Sequence, residues 1–287
     1  MYGKYQTEQK KLNDSTYMVR ADQMDIWATQ RDLDSDRLYR AQIGPLVLWF
    51  TRSHDEIHMA TERLTAEPVE NETTSFACVN DRGRANLDWK RWVVGDACNQ
   101  ILVLPVMPDR PAVVRPDVPV KIPKDQEALF FFSIPAWARI VTPKPQRTVL
   151  CEEPSVVRSN TWFGDLMSGE LCYSLRSRAR RNVADIEAKP HRVACPVRIR
   201  NIAGSQFDVE RFCVHVEYLN IYKGTTRLWT NEVLISFQGE DAASKIEYAQ
   251  NPPEYEAVEG IIGEARTQLK QTLLKKSLGT FKSLTGF

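Results

Sequence analysis

The segments VACPVRIR at 193–200, FCVHVEY at 212–218 and WTNEVLISF at 229–237 decide the fold class. In the first, Val193, Cys195, Val197 and Ile199 share one parity, and Arg198 and Arg200 take the other. Phe212, Val214, Val216 and Tyr218 repeat the pattern, and so do Trp229, Val233, Ile235 and Phe237 beyond a KGTT turn at 223–226. Strand side chains alternate faces with a period of two, so the spacing predicts an antiparallel meander with one buried and one solvated face. The reading is all-β.

Working outward, residues 16–21, 24–29, 46–52, 57–64 and 101–106 read as strands, and LFFFSI at 129–134 as a strand buried on both faces. Leu171, Tyr173 and Leu175 form an inward parity against Cys172, Ser174 and Arg176. Short strands between turn signals indicate sandwich-like units. Six prolines between 105 and 123 exclude a central strand there and suggest a boundary. The expected division is therefore 1–110 for an N-terminal β-rich domain, 111–252 for a C-terminal β-sandwich, and 253–287 for a helix and tail. Pro252-Pro253 precedes Val258, Ile261, Ile262, Ala265, Leu269 and Leu273, whose spacing predicts one amphipathic helix over 256–278. Docking on the body, a homo-oligomer through the helix, or an anionic membrane surface would each cover its apolar stripe.

With 43% hydrophobic and 26% charged residues the chain is ordinary for a folded protein, and a net charge of +1 offers no bulk attraction for nucleic acid. Six cysteines without a CxxC pair read as reduced thiols. No apolar run is long enough to span a bilayer, and the first residues carry no secretory pattern, so a cytoplasmic protein is expected.

The local charge is more informative. Between Arg176 and Arg200 eight basic residues face two acids, Asp185 and Glu187, a balance of +6. If the strands are neighbours, Arg176, Arg178, Arg198 and Arg200 share one solvated face, with Arg180 and Arg181 beside it. Like charges across strands repel. Either Glu217 and Glu232 complete a ladder with them, or the face takes an anionic small molecule or an acidic protein partner.

Other patterns are weaker. His54 and His58 stand four apart as zinc ligands do on a helix, but Asp55 occupies the place of the metalloprotease glutamate, and the flanks read as a hairpin turning at 53–55. Asp32, Asp34 and Asp36 start an EF-hand pattern that Arg37 and Ile43 break. Cys213 and His215 share an outward parity and Cys195 an inward one, so the three are not expected to meet. No phosphate loop or nucleophile elbow is present, and no cofactor is expected.

The strings MYGKY at 1–5, LPVMP at 104–108, GELCY at 169–173 and LWTNEV at 228–233 resemble an uncharacterised prokaryotic family, known only as a domain of unknown function. The resemblance covers most of the chain and implies a prokaryotic, non-secreted origin, with no substrate, cofactor or mechanism. The reading is a non-catalytic binding or scaffolding protein with a basic strand face. The rivals are a metal-dependent or other hydrolytic enzyme using His54, Asp55, Glu56 and His58, and a peripheral membrane accessory protein.

Overall fold

The computed structural model describes residues 25–64, 74–80, 86–239 and 242–268, and the backbone of 273–275 and 278–279. The fold is mostly β, with several sheets that include a curled half-barrel. Among the described residues the helical elements are two single 3-10 turns, Val183–Asp185 and Val216–Tyr218. No helix there is long and apolar enough to cross a membrane.

One antiparallel sheet runs in the order Thr74–Val79, Leu38–Ile43, Leu46–Ser53, Glu56–Arg63, Lys90–Val93. Its hairpin turns on His54 and Asp55, with His54 at φ 49, as the sequence predicts for 53–55. A four-stranded sheet takes Gln30–Asp32 and Gln100–Val106 from before residue 110, and Trp137–Thr142 and Thr148–Pro154 from after it. Residues 25–29 are turn, touching Val103 through one bridge at Trp27, so the strand expected over 24–29 is replaced by one starting at Gln30. The strand expected over 16–21 lies outside the described residues.

The largest sheet centres on Arg192–Asn201. Glu127–Pro135 pairs antiparallel along one side of it. On the other side lie Leu228–Thr230 and Val233–Phe237, both parallel to it. Pro196 has no N–H to give and falls at the change of partner, between Ala194↔Trp229 and Val197↔Val233.

The expected antiparallel meander is thus corrected. Arg211–Val214 belongs to another sheet, ordered Asn160–Phe163, Glu170–Ser174, Ala112–Val114, Arg211–Val214, Leu278–Gly279. The connection between 201 and 228 is long enough for a crossover, which parallel strands require and a hairpin does not. Both parities of 212–216 are buried, so alternation there carried no information about a solvated face.

A central strand does pass through the proline-rich stretch. Ala112–Val114 fits between Pro111 and Pro116, so neither ring occupies its ladder. The C-terminal helix is also corrected over the described residues. Val258–Gly263 is a strand paired with Ile221–Gly224. Its β-branched Val258, Ile261 and Ile262 suit a pleated surface. Gly260 sits at φ 144, and Gly263 lies against Pro105, where a Cβ would stand 2.1 Å from the carbonyl oxygen. Leu273–Lys275 is likewise extended and pairs with Ser244–Tyr248.

The core is continuous across these sheets. Phe212 packs its ring between Phe130 and Phe132, at centroid distances of 5.7 and 6.3 Å, and so joins two of them. On the opposite face of the largest sheet Phe131, Ala194, Tyr222 and Trp229 form a second cluster. Ala194, Arg198 and Arg200 share that face, apolar at one end and charged at the other.

Candidate functional site

The arginines expected on one face are divided by the fold. Glu170–Ser174 is not a neighbour of Arg192–Asn201, and the parity expected of it is reversed at Leu171, which is exposed, and Cys172, which is fully buried, while Leu175 is buried as expected. Apolar residues of both parities left the alternation without a polar face to orient it. Arg176 and Arg178 lie on an irregular segment beyond that strand and do not join Arg198 and Arg200.

Arg198 and Arg200 form a ladder. Arg198 holds Glu232 through Nε at 2.7 Å and through Nη2 at 3.3 Å, and Glu127 through Nη1 at 2.8 Å. Arg200 stands opposite Glu127 in the register and bonds it through Nη2 at 2.8 Å. The Arg200 bond leads in holding the Glu127 carboxyl below its ordinary range, with Arg198 adding to it. Tyr255 donates its hydroxyl to Glu232. A groove of about 490 Å³ opens beside this network, lined by Arg198 and by Glu232, Glu247, Glu254 and Tyr255. Three carboxylates to one engaged guanidinium make it no place for an anion.

Arg180 is paired with Asp117. Arg181 donates to the Leu129 carbonyl and lies over the Phe130 ring at 5.0 Å. Arg176 and Arg178 meet no carboxylate among the described residues.

Arg176 belongs instead with Arg158 and Arg192. Ser155 pins the loop that carries Arg158, its buried hydroxyl donating to the Ala136 carbonyl at 2.5 Å. The Ser159 carbonyl, accepting from the Ser174 amide at 3.0 Å, fixes the other end. Arg192 is tied to Ser133 through Nε at 2.9 Å and to Ser177 through Nη2 at 3.1 Å, which draws the 175–178 segment to the start of its strand. Arg158 is half-buried, and its Nε, fully buried, has no hydrogen-bond partner among the described residues. Burial first, then the charges of Arg192 and Arg176, push its guanidinium down to about 10, with no carboxylate among the groups that shift it. His191 is next to this cluster. It is 2% exposed, and burial, then Arg192, Lys189 and Arg158, push it down to about 3, so the ring is neutral. Sequence reasoning counted Arg192 in the basic run without singling it out, and it missed Arg158, which stands outside that run and is brought in only by the paired strands.

The histidine pair does not converge. His54 is exposed on the hairpin turn, and His58 bonds Glu56 on its own strand at 2.7 Å. Cys195 stays apart from Cys213 and His215, as expected, but both of these are buried rather than outward. The Cys213 thiol lies 3.6 Å from that of Cys172, and His215 Nε2 lies 2.8 Å from Glu170 Oε1.

A family model described as "Protein of unknown function (DUF432)" matches residues 1–282. The chain belongs to the DUF432 family. No curated protein and no solved structure matches it. The match spans all four strings that carried the resemblance, from MYGKY to LWTNEV, as well as every arginine described above. For this DUF432 protein the chemistry of the site therefore rests on its own residues.

Proposed function

We propose that this DUF432 protein is a non-catalytic binding protein that holds an acidic ligand on Arg158, Arg176 and Arg192. The observation that carries the reading is the half-buried Arg158 guanidinium, on which the like charges of Arg192 and Arg176 act and no carboxylate does. An uncompensated charge in a partly desolvated place is costly, and a bound anion removes that cost. Guanidinium forks match the oxygens of phosphate and carboxylate groups, which makes a phosphate-bearing small molecule or an acidic protein segment the fitting ligand. The six cysteines are free thiols, which suits a reducing, cytoplasmic setting for this role.

Calorimetric titration with inorganic phosphate and polyphosphate tests the reading. Binding that weakens with salt is expected. It should fall about tenfold or more in an Arg158→Gln/Arg176→Gln variant, since each charged hydrogen bond is worth about 1.5–3 kcal/mol. An Arg198→Gln/Arg200→Gln variant should bind as the parent does. Equal binding by all three proteins, or binding by none, overturns the proposal.

A further inference from the structure

The DUF432 chain holds a second cluster that the anion reading does not use. Glu170 and Cys172 are two apart on Glu170–Ser174, and Cys213 and His215 are two apart at the end of Arg211–Val214. These two strands flank Ala112–Val114 in one sheet. Residues at i and i+2 share a strand face, so each pair projects to one side and the two pairs meet across the short central strand.

From this geometry we infer that Glu170, Cys172 and Cys213 form a binding site for a thiophilic divalent metal ion of the zinc class, with His215 orienting the glutamate. A ligand atom from each of the three lies within 4.8 Å of the others. The two sulfurs are 3.6 Å apart. With Zn–S bonds of about 2.3 Å, two thiolates on one tetrahedral ion stand about 3.8 Å apart. The thiols are therefore already spaced for a shared ion. Both are completely buried, and the glutamate side chain is 25% exposed, so the ion has an approach from the carboxylate side.

His215 completes the arrangement from behind. Its Nε2 is 2.8 Å from Glu170 Oε1, and Tyr248 donates to its backbone carbonyl at 3.2 Å. A histidine–carboxylate hydrogen bond of this kind fixes the direction of a ligand and tunes its basicity. Two sulfurs and one oxygen leave a fourth position for water or an incoming group, as in open zinc sites. Thiolate ligands select zinc over magnesium or calcium, which prefer oxygen alone. The competing role for the cysteines is simple packing against Val113 and Phe163. That role gives no reason for a carboxylate and an imidazole to close over the same two thiols.

The test is a cobalt(II) titration of the full chain, purified with a chelator, reduced, and freed of reductant. One equivalent should produce a thiolate-to-cobalt charge-transfer band together with the strong visible bands of a four-coordinate ion, and zinc should bleach both. Cys172→Ser/Cys213→Ser should abolish the charge-transfer band, and Cys195→Ser, outside the cluster, should leave it unchanged. If the double variant does not fold, His215→Gln serves in its place. Loss of an orienting partner should weaken cobalt affinity about 10–100-fold with the band retained. No charge-transfer band from the reduced, folded parent overturns the inference. So does a parental spectrum from the double serine variant, or parental affinity in His215→Gln.

Discussion

Arg198 donates through Nε to Glu232 Oε1 across 2.7 Å, and this pair neutralises charge at the C-terminal end of the basic run from Arg176 to Arg200. Its consequence is a stability effect without a binding effect. Replacing Arg198 with Gln removes the guanidinium from Glu232, which keeps the Tyr255 hydroxyl, and weakens the hold on Glu127. Both partners are partly solvated, so the expected cost is about 1–2 kcal/mol rather than the larger penalty of a buried pair. Urea denaturation should show a lower midpoint at an unchanged slope. Phosphate affinity should not move.

Arg158 is expected to behave in the opposite way. Its guanidinium is lower in the folded protein than in the unfolded chain, where it keeps the ordinary value of 12.5. A cationic group lowered on folding opposes folding below both values, and the loss is recovered only as pH rises from about 10 toward 12.5. At neutral pH the penalty is therefore fully present. Arg158→Met should stabilise the ligand-free protein by about 1–2 kcal/mol, after allowance for solvent screening. Phosphate should raise the melting temperature of the parent and leave that of the variant where it is.

His191 makes a prediction about acid. In the unfolded chain it protonates near 6.5, and in the folded protein only at about 3. Between those values the unfolded chain binds the extra proton. Stability should fall as pH drops through that window, by about 1.4 kcal/mol per unit for this residue alone. His191→Leu should flatten that part of the stability curve relative to the parent. The imidazole also fills the space over Gly44, where a Cβ would lie 2.8 Å from ring atoms, so Gly44→Ala should be destabilising at every pH.

Phe212 tests the joint between sheets. It is completely buried and its ring touches those of Phe130 and Phe132. Truncation to Ala should cost about 3–5 kcal/mol, the range for a large core aromatic. Calorimetry should show one transition moving as a whole. Two separated transitions would mean that the sheets on either side of Phe212 unfold independently.

Local chemistry was legible in the sequence, and long-range pairing was not. The hairpin at 46–63 announced itself through a polar turn between two apolar runs, and the strand Glu127–Pro135 through the apolar run at 129–134. Val214, Val216, Ile235 and Phe237 are buried as expected, although around Val214 and Val216 the other parity is buried too, and Glu232 was identified as a partner for the arginines. Period does not encode direction, so Arg192–Asn201 could not be distinguished from a meander strand, although Leu228–Thr230 and Val233–Phe237 run parallel to it. Nor does period separate helix from strand when β-branched residues recur three and four apart, as at Val258, Ile261 and Ile262. The binding clusters were hidden for the same reason. Arg158 reaches Arg176 and Arg192, and Cys172 reaches Cys213, only through strand neighbours that are distant in the chain.

The strand Arg192–Asn201 carries a further consequence, one of timing. When it leaves the ribosome, its antiparallel partner Glu127–Pro135 has already been made, and its parallel partners Leu228–Thr230 and Val233–Phe237 have not. For that interval one whole edge of the future sheet centre stands unpaired, and exposed edges of this kind invite the wrong neighbour. Pro196 interrupts the row of free donors on the waiting strand. The residue that marks the change of partner in the finished protein also shortens the template open to a stray chain during synthesis.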